Sequence, residues 1–196
     1  TSRDFEAFQV KGRDVEAVVM SPQLLAWRKS EADTLRKYYN PGAVSDTYCE
    51  GEGLCDPLEG WGGLREYLAE RRAVVVIQVA PAAMPPPRRG DRKLANLTRP
   101  AVRPFLRAEL TNNGSLVVPI SVSRIPAVVN PTAYPEGQRE SLQSGVLVFD
   151  PTDIFPPNGG AFELRVYVQG GREPIRLPIP AAVLLAVRQD LSGVLR

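Results

Sequence analysis

Alternation of apolar and polar residues is clearest in the last third of the chain. From Phe162 to Val168 every second residue is apolar, and after Gly170-Gly171 the same alternation resumes from Ile175 to Ile179. One apolar and one polar face is typical of a strand in an antiparallel sheet, and a Gly-Gly pair between two such runs is typical of a tight turn. The pattern predicts a β-hairpin closed by a two-residue turn.

Further strand patterns fill the chain between residues 73 and 179. The β-branched run 74–79 predicts a central strand, and Gly145–Phe149 predicts another. Phe105–Leu110 and Leu116–Ile125 predict two strands that are joined through Asn112-Asn113-Gly114. Asn-Gly is a strong hairpin signal because both residues tolerate positive φ. About six strands without intervening helices predict an antiparallel β-sandwich, since a parallel sheet would need helical crossovers.

The ends of the chain carry helix signals. Val15–Met20 predicts a strand, and Ser21-Pro22 after it supplies an N-cap and a proline at the first helical position. That helix is predicted to run to about Tyr39. A second helix is predicted from Gly63 to Arg72, and the apolar run from Pro180 to Leu191 predicts a short helix or a terminal strand.

The general pattern of predicted strands and turns is similar to that of bacterial immunoglobulin-like modules, but the Cys…Trp…Cys spacing of immunoglobulin domains is absent from the sequence. The fold class expected is mainly β: an antiparallel immunoglobulin-like β-sandwich with N-terminal α-helices, α+β overall. Residues 1–72 are expected to form a strand and helix region with a cysteine loop, and residues 73–196 the sandwich. One continuous domain is the alternative.

Composition removes several kinds of catalytic site. The chain of 196 residues is 43% apolar and 23% charged, which is ordinary for a globular protein, and it contains no histidine. Without histidine there is no triad of the usual kind and no histidine-ligated metal, and two cysteines are too few for a structural zinc site. No cofactor and no metal are therefore expected, and a non-enzymatic protein is favoured.

The two cysteines lie in an acidic, glycine-rich segment. Cys49 and Cys55 are separated by five residues. A disulfide across so short a loop is geometrically easy and would hold a segment that has little core of its own. Two reduced thiols are the alternative, but thiols so close together oxidise readily. The predicted Cys49–Cys55 disulfide points to an oxidising compartment, namely the periplasm, the outer membrane or the cell surface.

A basic stretch precedes the first strand of the predicted Asn-Gly hairpin. Six cations lie between positions 88 and 103 with the single acid Asp91 among them. They are candidate anion-binding residues: Arg88, Arg89, Arg92, Lys93, Arg99 and Arg103. A polyanion-binding module is therefore one alternative function. A solvated loop rich in proline and arginine explains the same residues, and a nucleic-acid surface would need more aromatic residues than the nearby Phe105.

A pair of carboxylates offers the other alternative. Asp150 and Asp153 follow a predicted strand, and paired carboxylates can hydrolyse glycosides when they are set several ångströms apart and one has a raised pKa. A carboxylate-dependent hydrolase would use this pair. Asp-Pro-Thr-Asp also fits a turn whose side chains cap backbone amides.

Together these patterns favour a non-enzymatic extracytoplasmic protein with a structural or interaction role. Long proline-rich segments suit a subunit of a larger bacterial envelope or surface assembly that contacts protein partners, with no specific nucleic acid. The first residues contain neither an initiator methionine nor an apolar signal segment. An N-terminal lipid anchor lost from the chain would fit, giving a lipoprotein with peripheral membrane association.

Overall fold

The structure, a computed structural model, describes residues 5–24, 26, 27, 70, 72–81, 103–126 and 143–192. These residues are mostly β, with two antiparallel sheets and few helices, an arrangement compatible with a β-sandwich. The strands described are β1 (Gln9–Lys11), β2 (Val15–Met20), β3 (Val75–Pro81), β4 (Phe105–Asn112), β5 (Ser115–Val117), β6 (Ser121–Pro126), β7 (Gln143–Phe149), β8 (Phe162–Val168) and β9 (Ile175–Pro178).

The first sheet has five strands in the order β1-β2-β3-β7-β6, and the second has four in the order β5-β4-β8-β9. Every pairing between these strands is antiparallel. Strand β3 lies in the middle of its sheet, as its β-branched sequence predicts. Strands β1 and β2 belong to the same sheet as β3.

Three short helices accompany the strands in the described residues, besides the stretch that follows Ser21. A 3-10 helix spans Phe5–Phe8, α1 is a single turn at Pro151–Ile154, and α2 spans Ala181–Ser192. The apolar run near the C-terminus is therefore a helix and not a strand. Its buried side chains recur every fourth residue, at Val183, Val187 and Leu191, and α2 packs against β2 and the 3-10 helix.

Ser21 caps a short helical stretch. Residues 22–24, 26 and 27 are helical, and Ser21 Oγ accepts a hydrogen bond from the Leu24 backbone N–H at 3.1 Å. The same hydroxyl donates to Asp190 of α2, so the cap also ties the two helices together. The rest of the predicted helix to Tyr39 lies outside the described residues. Of the helix predicted from Gly63 to Arg72, only Glu70 and Arg72 are described, and neither is helical.

The two sheets share one buried core, and at Gly145 they are in close contact. A Cβ atom at Gly145 of β7 would lie 2.3 Å from Cζ of Phe105 on β4 in the other sheet. Because side chains alternate along a strand, Leu147 and Phe149 face the second sheet as well. The opposite face of β7 is also buried, at Val146 and Val148, so the first sheet is covered on both sides there.

The Asn-Gly turn forms as predicted. Asn113 and Gly114 have φ values of 50° and 84°, and they join β4 to β5. The predicted strand Leu116–Ile125 is wrong as a single element, because it divides into β5 in the second sheet and β6 in the first. Pro119 lies in the break. Proline has no N–H to donate, which favours leaving one sheet's ladder and entering the other's at this point.

The C-terminal hairpin is present, with a longer connection than predicted. Strand β8 alternates between buried and half-buried residues along its whole length. The last residue pair between β8 and β9 is Val166 with Ile175. On its other edge β8 pairs with β4 as far as Val168, which lies opposite Phe105. Strand β8 ends at Val168 and β9 begins at Ile175, so Gly170-Gly171 is part of a six-residue connection, 169–174, and not a complete two-residue turn.

Candidate functional site: an apolar row on an open side of the sheets

The two sides of the paired sheets differ. On one side the end strands β1 and β9 contact each other, and a Cβ atom at Gly12 would lie 2.5 Å from Leu177 Cδ2. On the other side the end strands are β5 and β6, which each pair with only one neighbour among the described residues. Residues 118–120 carry the chain from β5 to β6 along this side. The open edges of both sheets therefore lie on one continuous segment.

This segment presents aliphatic side chains to solvent. Leu116 is 60% exposed, Val118 71%, Ile120 42% and Val122 60%, and we call these four residues the apolar row. The residues between them, 117, 119 and 121, are half-buried, so exposed and half-buried residues alternate through the crossing, although the chain bends at Ile120. Farther along β6, Ile125 is buried. The side chains of the row thus face outward, and those of the residues between them face the molecule.

Exposure of this kind is unusual on a sheet edge. Single exposed aliphatic residues are common, but proteins generally protect open strand edges with charged side chains or cover them. Here fourteen consecutive residues between Glu109 and Arg124 carry no charge. An uncharged edge with exposed aliphatic side chains at four alternate positions favours contact with another protein surface.

The outer face of the second sheet has a different character. The Arg107 guanidinium lies 3.9 Å from the centre of the Tyr167 ring and forms an ion pair with Glu109. Tyr167 Oη donates a hydrogen bond to Glu109 Oε2 at 2.9 Å. On the neighbouring positions Glu163 Oε1 accepts from Arg165 Nε at 3.1 Å.

Arg176 of β9 extends this charged network. Its Nη1 lies 3.6 Å from Glu163 Oε1, so Glu163 forms ion pairs with both Arg165 and Arg176. Exposed ion pairs of this kind contribute about 0–1 kcal/mol each. The arginines on this face are thus matched by neighbouring carboxylates, which makes the face a poorer anion surface than its arginine content alone would indicate.

Asp150 acts as a helix cap. Its Oδ1 accepts hydrogen bonds from the backbone N–H of Thr152 at 2.9 Å and from Thr152 Oγ1 at 2.7 Å, at the start of α1. The two bonds, the hydroxyl one first, hold the pKa of the Asp150 carboxyl below its ordinary value of 3.8. A carboxyl group that acts as a general acid needs a raised pKa. The capping turn therefore describes Asp150 better than the hydrolase alternative, and Asp153 is exposed beside it.

Replacing Thr152 by alanine is expected to raise the pKa of Asp150, because the hydroxyl bond that favours the carboxylate is lost. A carboxyl-detected NMR titration measures this shift, and Thr152→Ser, which keeps a hydroxyl, is the matched control. Because the folded pKa is depressed, the cap stabilises the protein above pH 3.8 and the effect is lost as pH falls through the folded pKa. An Asp150 pKa above 3.8 in the unmodified protein would contradict this assignment.

Most of the other predicted site residues lie outside the described part of the chain. Of the candidate anion-binding cations only Arg103 is described, exposed just ahead of β4. The other five candidates are Arg88, Arg89, Arg92, Lys93 and Arg99. The predicted disulfide also lies outside it, at Cys49 and Cys55. Within the described ranges, no group of three or more His, Cys, Asp or Glu residues could hold a metal ion. No helix in these ranges is long and apolar enough to cross a membrane.

The apolar row is the feature that sequence reasoning missed. Leu116, Val118, Ile120 and Val122 follow a period of two within a run that carries no charge. The same period marks the buried face of β8. Period two shows which residues share a face but not whether that face meets the core or the solvent.

No protein-family model matches this chain, and no curated protein or solved structure is significantly similar to it. Its function must therefore be inferred from its own residues.

Proposed function

We propose that this protein is a non-enzymatic structural or interaction protein, a subunit of a larger assembly, and that it contacts a protein partner through the apolar row. The observation that carries the proposal is the exposure of four aliphatic side chains in sequence along one open side of the sheets. Burying such a surface against another protein is favourable because apolar area leaves water. Several exposed aliphatic side chains along an uncharged sheet edge are typical of a contact site.

Two further parts of the proposal rest on the sequence. An extracytoplasmic location, in the bacterial periplasm, at the outer membrane or on the cell surface, is supported by the predicted Cys49–Cys55 disulfide. A lipid anchor ahead of the first strand would give peripheral membrane association. We also propose that the sandwich is immunoglobulin-like, with helices packed at its N-terminal part. The antiparallel pairing of all described strands is compatible with this.

Site-specific photocrosslinking in the source cell tests the contact. A benzophenone amino acid placed at Val118 is expected to give a light-dependent adduct of defined mass, because that side chain would lie within the contact. Val118 is 71% exposed, so a larger apolar group fits there without disturbing the core. The adducts are read on a denaturing gel by an antibody against the protein.

Leu185 supplies the matched control. It is an aliphatic residue that is 56% exposed on α2, away from the row, and the same probe there is expected to give no comparable adduct. Equal crosslinking from both positions, or none from either, would count against the proposal.

A further inference from the structure

We infer that the apolar row pairs with the row of a second copy of this chain, so that the protein forms a two-fold symmetric dimer. The inference rests on the proposed function and names its partner. It follows from three properties of the row: its symmetry along the sequence, its charge and its area.

The row is nearly symmetric about Pro119. An antiparallel contact centred on that residue sets Leu116 against Val122 and Val118 against Ile120 of the second copy. Every aliphatic side chain then meets another aliphatic side chain, as a two-fold contact requires of a self-complementary surface. Proline lacks an N–H, so the contact is assigned to side-chain packing across the axis and not to an unbroken backbone ladder.

The charges favour the same partner. Arg124 is exposed at one end of the row, and an antiparallel arrangement puts the two copies of Arg124 at opposite ends of the contact. At each end, Arg124 of one copy lies opposite the uncharged turn residue Gly114 of the other, so the two arginines do not meet. Interfaces between copies of one chain are on average more apolar than those between different proteins. The row contains no charged residue, which fits the first kind of interface.

The area suits a reversible dimer. Four aliphatic side chains exposed by 42–71% offer on the order of 300 Å² of apolar surface per copy. Two copies of the row would therefore bury on the order of 600 Å² of apolar surface in all, which is in the range of weak, transient contacts. Monomer and dimer are therefore expected to exchange with concentration.

Sedimentation velocity on the full chain tests the inference. Over about 1 to about 200 µM, the weight-average mass is expected to rise from one copy towards two. Val118→Lys and, separately, Ile120→Lys are expected to weaken dimerisation at least about tenfold, because each buries an unpaired ammonium near its symmetry mate. Leu185→Lys is the control, and its weight-average mass is expected to rise with concentration as that of the wild type does. High salt is expected not to weaken the dimer, since no ion pairs hold it.

The outcomes separate the dimer from the broader proposal. A wild-type chain that stays monomeric at every concentration overturns the inference, as does a dimer that neither lysine variant weakens. Melting curves of the variants check folding, and a Val118→Lys protein that melts like the wild type has lost only the contact. If the chain is monomeric but the Val118 photoprobe captures a different protein in cells, the proposed function stands and the second copy is excluded as its partner. If the chain dimerises through the row, the photoprobe adduct has twice the monomer mass.

Discussion

Replacing Leu164 by alanine is expected to lower the free energy of unfolding by about 2–5 kcal/mol. Leu164 lies in the middle of β8, is fully buried, and pairs with the buried Leu110 of β4. Its removal takes apolar contacts from the core shared by the two sheets and leaves a cavity, because the surrounding strands can collapse only in part. Urea unfolding followed by circular dichroism measures the change.

Leu116→Ala is the matched control, since it makes the same chemical change in a strand of the same sheet. Leu116 is 60% exposed, so its removal is expected to change the free energy of unfolding by less than about 0.5 kcal/mol. Both measurements belong at low protein concentration, where association through the apolar row does not contribute. Similar losses in the two variants would mean that the assignment of β8 to the core and of β5 to the surface is wrong.

Gly145→Ala is expected to destabilise the protein by about 1–3 kcal/mol, although alanine is ordinarily the better residue in a folded chain. The new methyl group would lie 2.3 Å from Cζ and 2.8 Å from Cε1 of Phe105. Phe105 is buried, so its ring can move only by displacing other core side chains. Thermal unfolding of the variant checks the prediction.

A double-mutant cycle with Phe105→Leu identifies the cause. Leucine removes the ring atoms that the alanine methyl group would meet, so the double variant is expected to be more stable than the sum of the two single effects allows. Ser144→Ala is the control at the adjacent position, on the opposite face of β7. The Ser144 hydroxyl is buried without a hydrogen-bond partner among the described residues, so its loss is expected to cost little. Additive effects of Gly145→Ala and Phe105→Leu would show that the two sheets do not meet at this pair.

Features that depend on local chemistry are readable from the sequence. The Asn113-Gly114 turn follows from two residues that tolerate positive φ, and the Ser21 cap from a hydroxyl placed ahead of a proline. The alternation in β8 follows from the opposite directions of successive side chains. Each of these involves residues a few positions apart, so the chain near them contains all the needed information.

Other features of the fold depend on contacts between residues that are distant in the sequence. The approach of Phe105 to Gly145 joins positions forty residues apart, and neither residue signals the other in the sequence. The division of Leu116–Ile125 between two sheets depends on which strands are available to pair with each half. A pattern of period two records that one face of a strand is apolar, and only the packing of the sheets determines whether that face meets the core, as in β8, or the solvent, as in the apolar row.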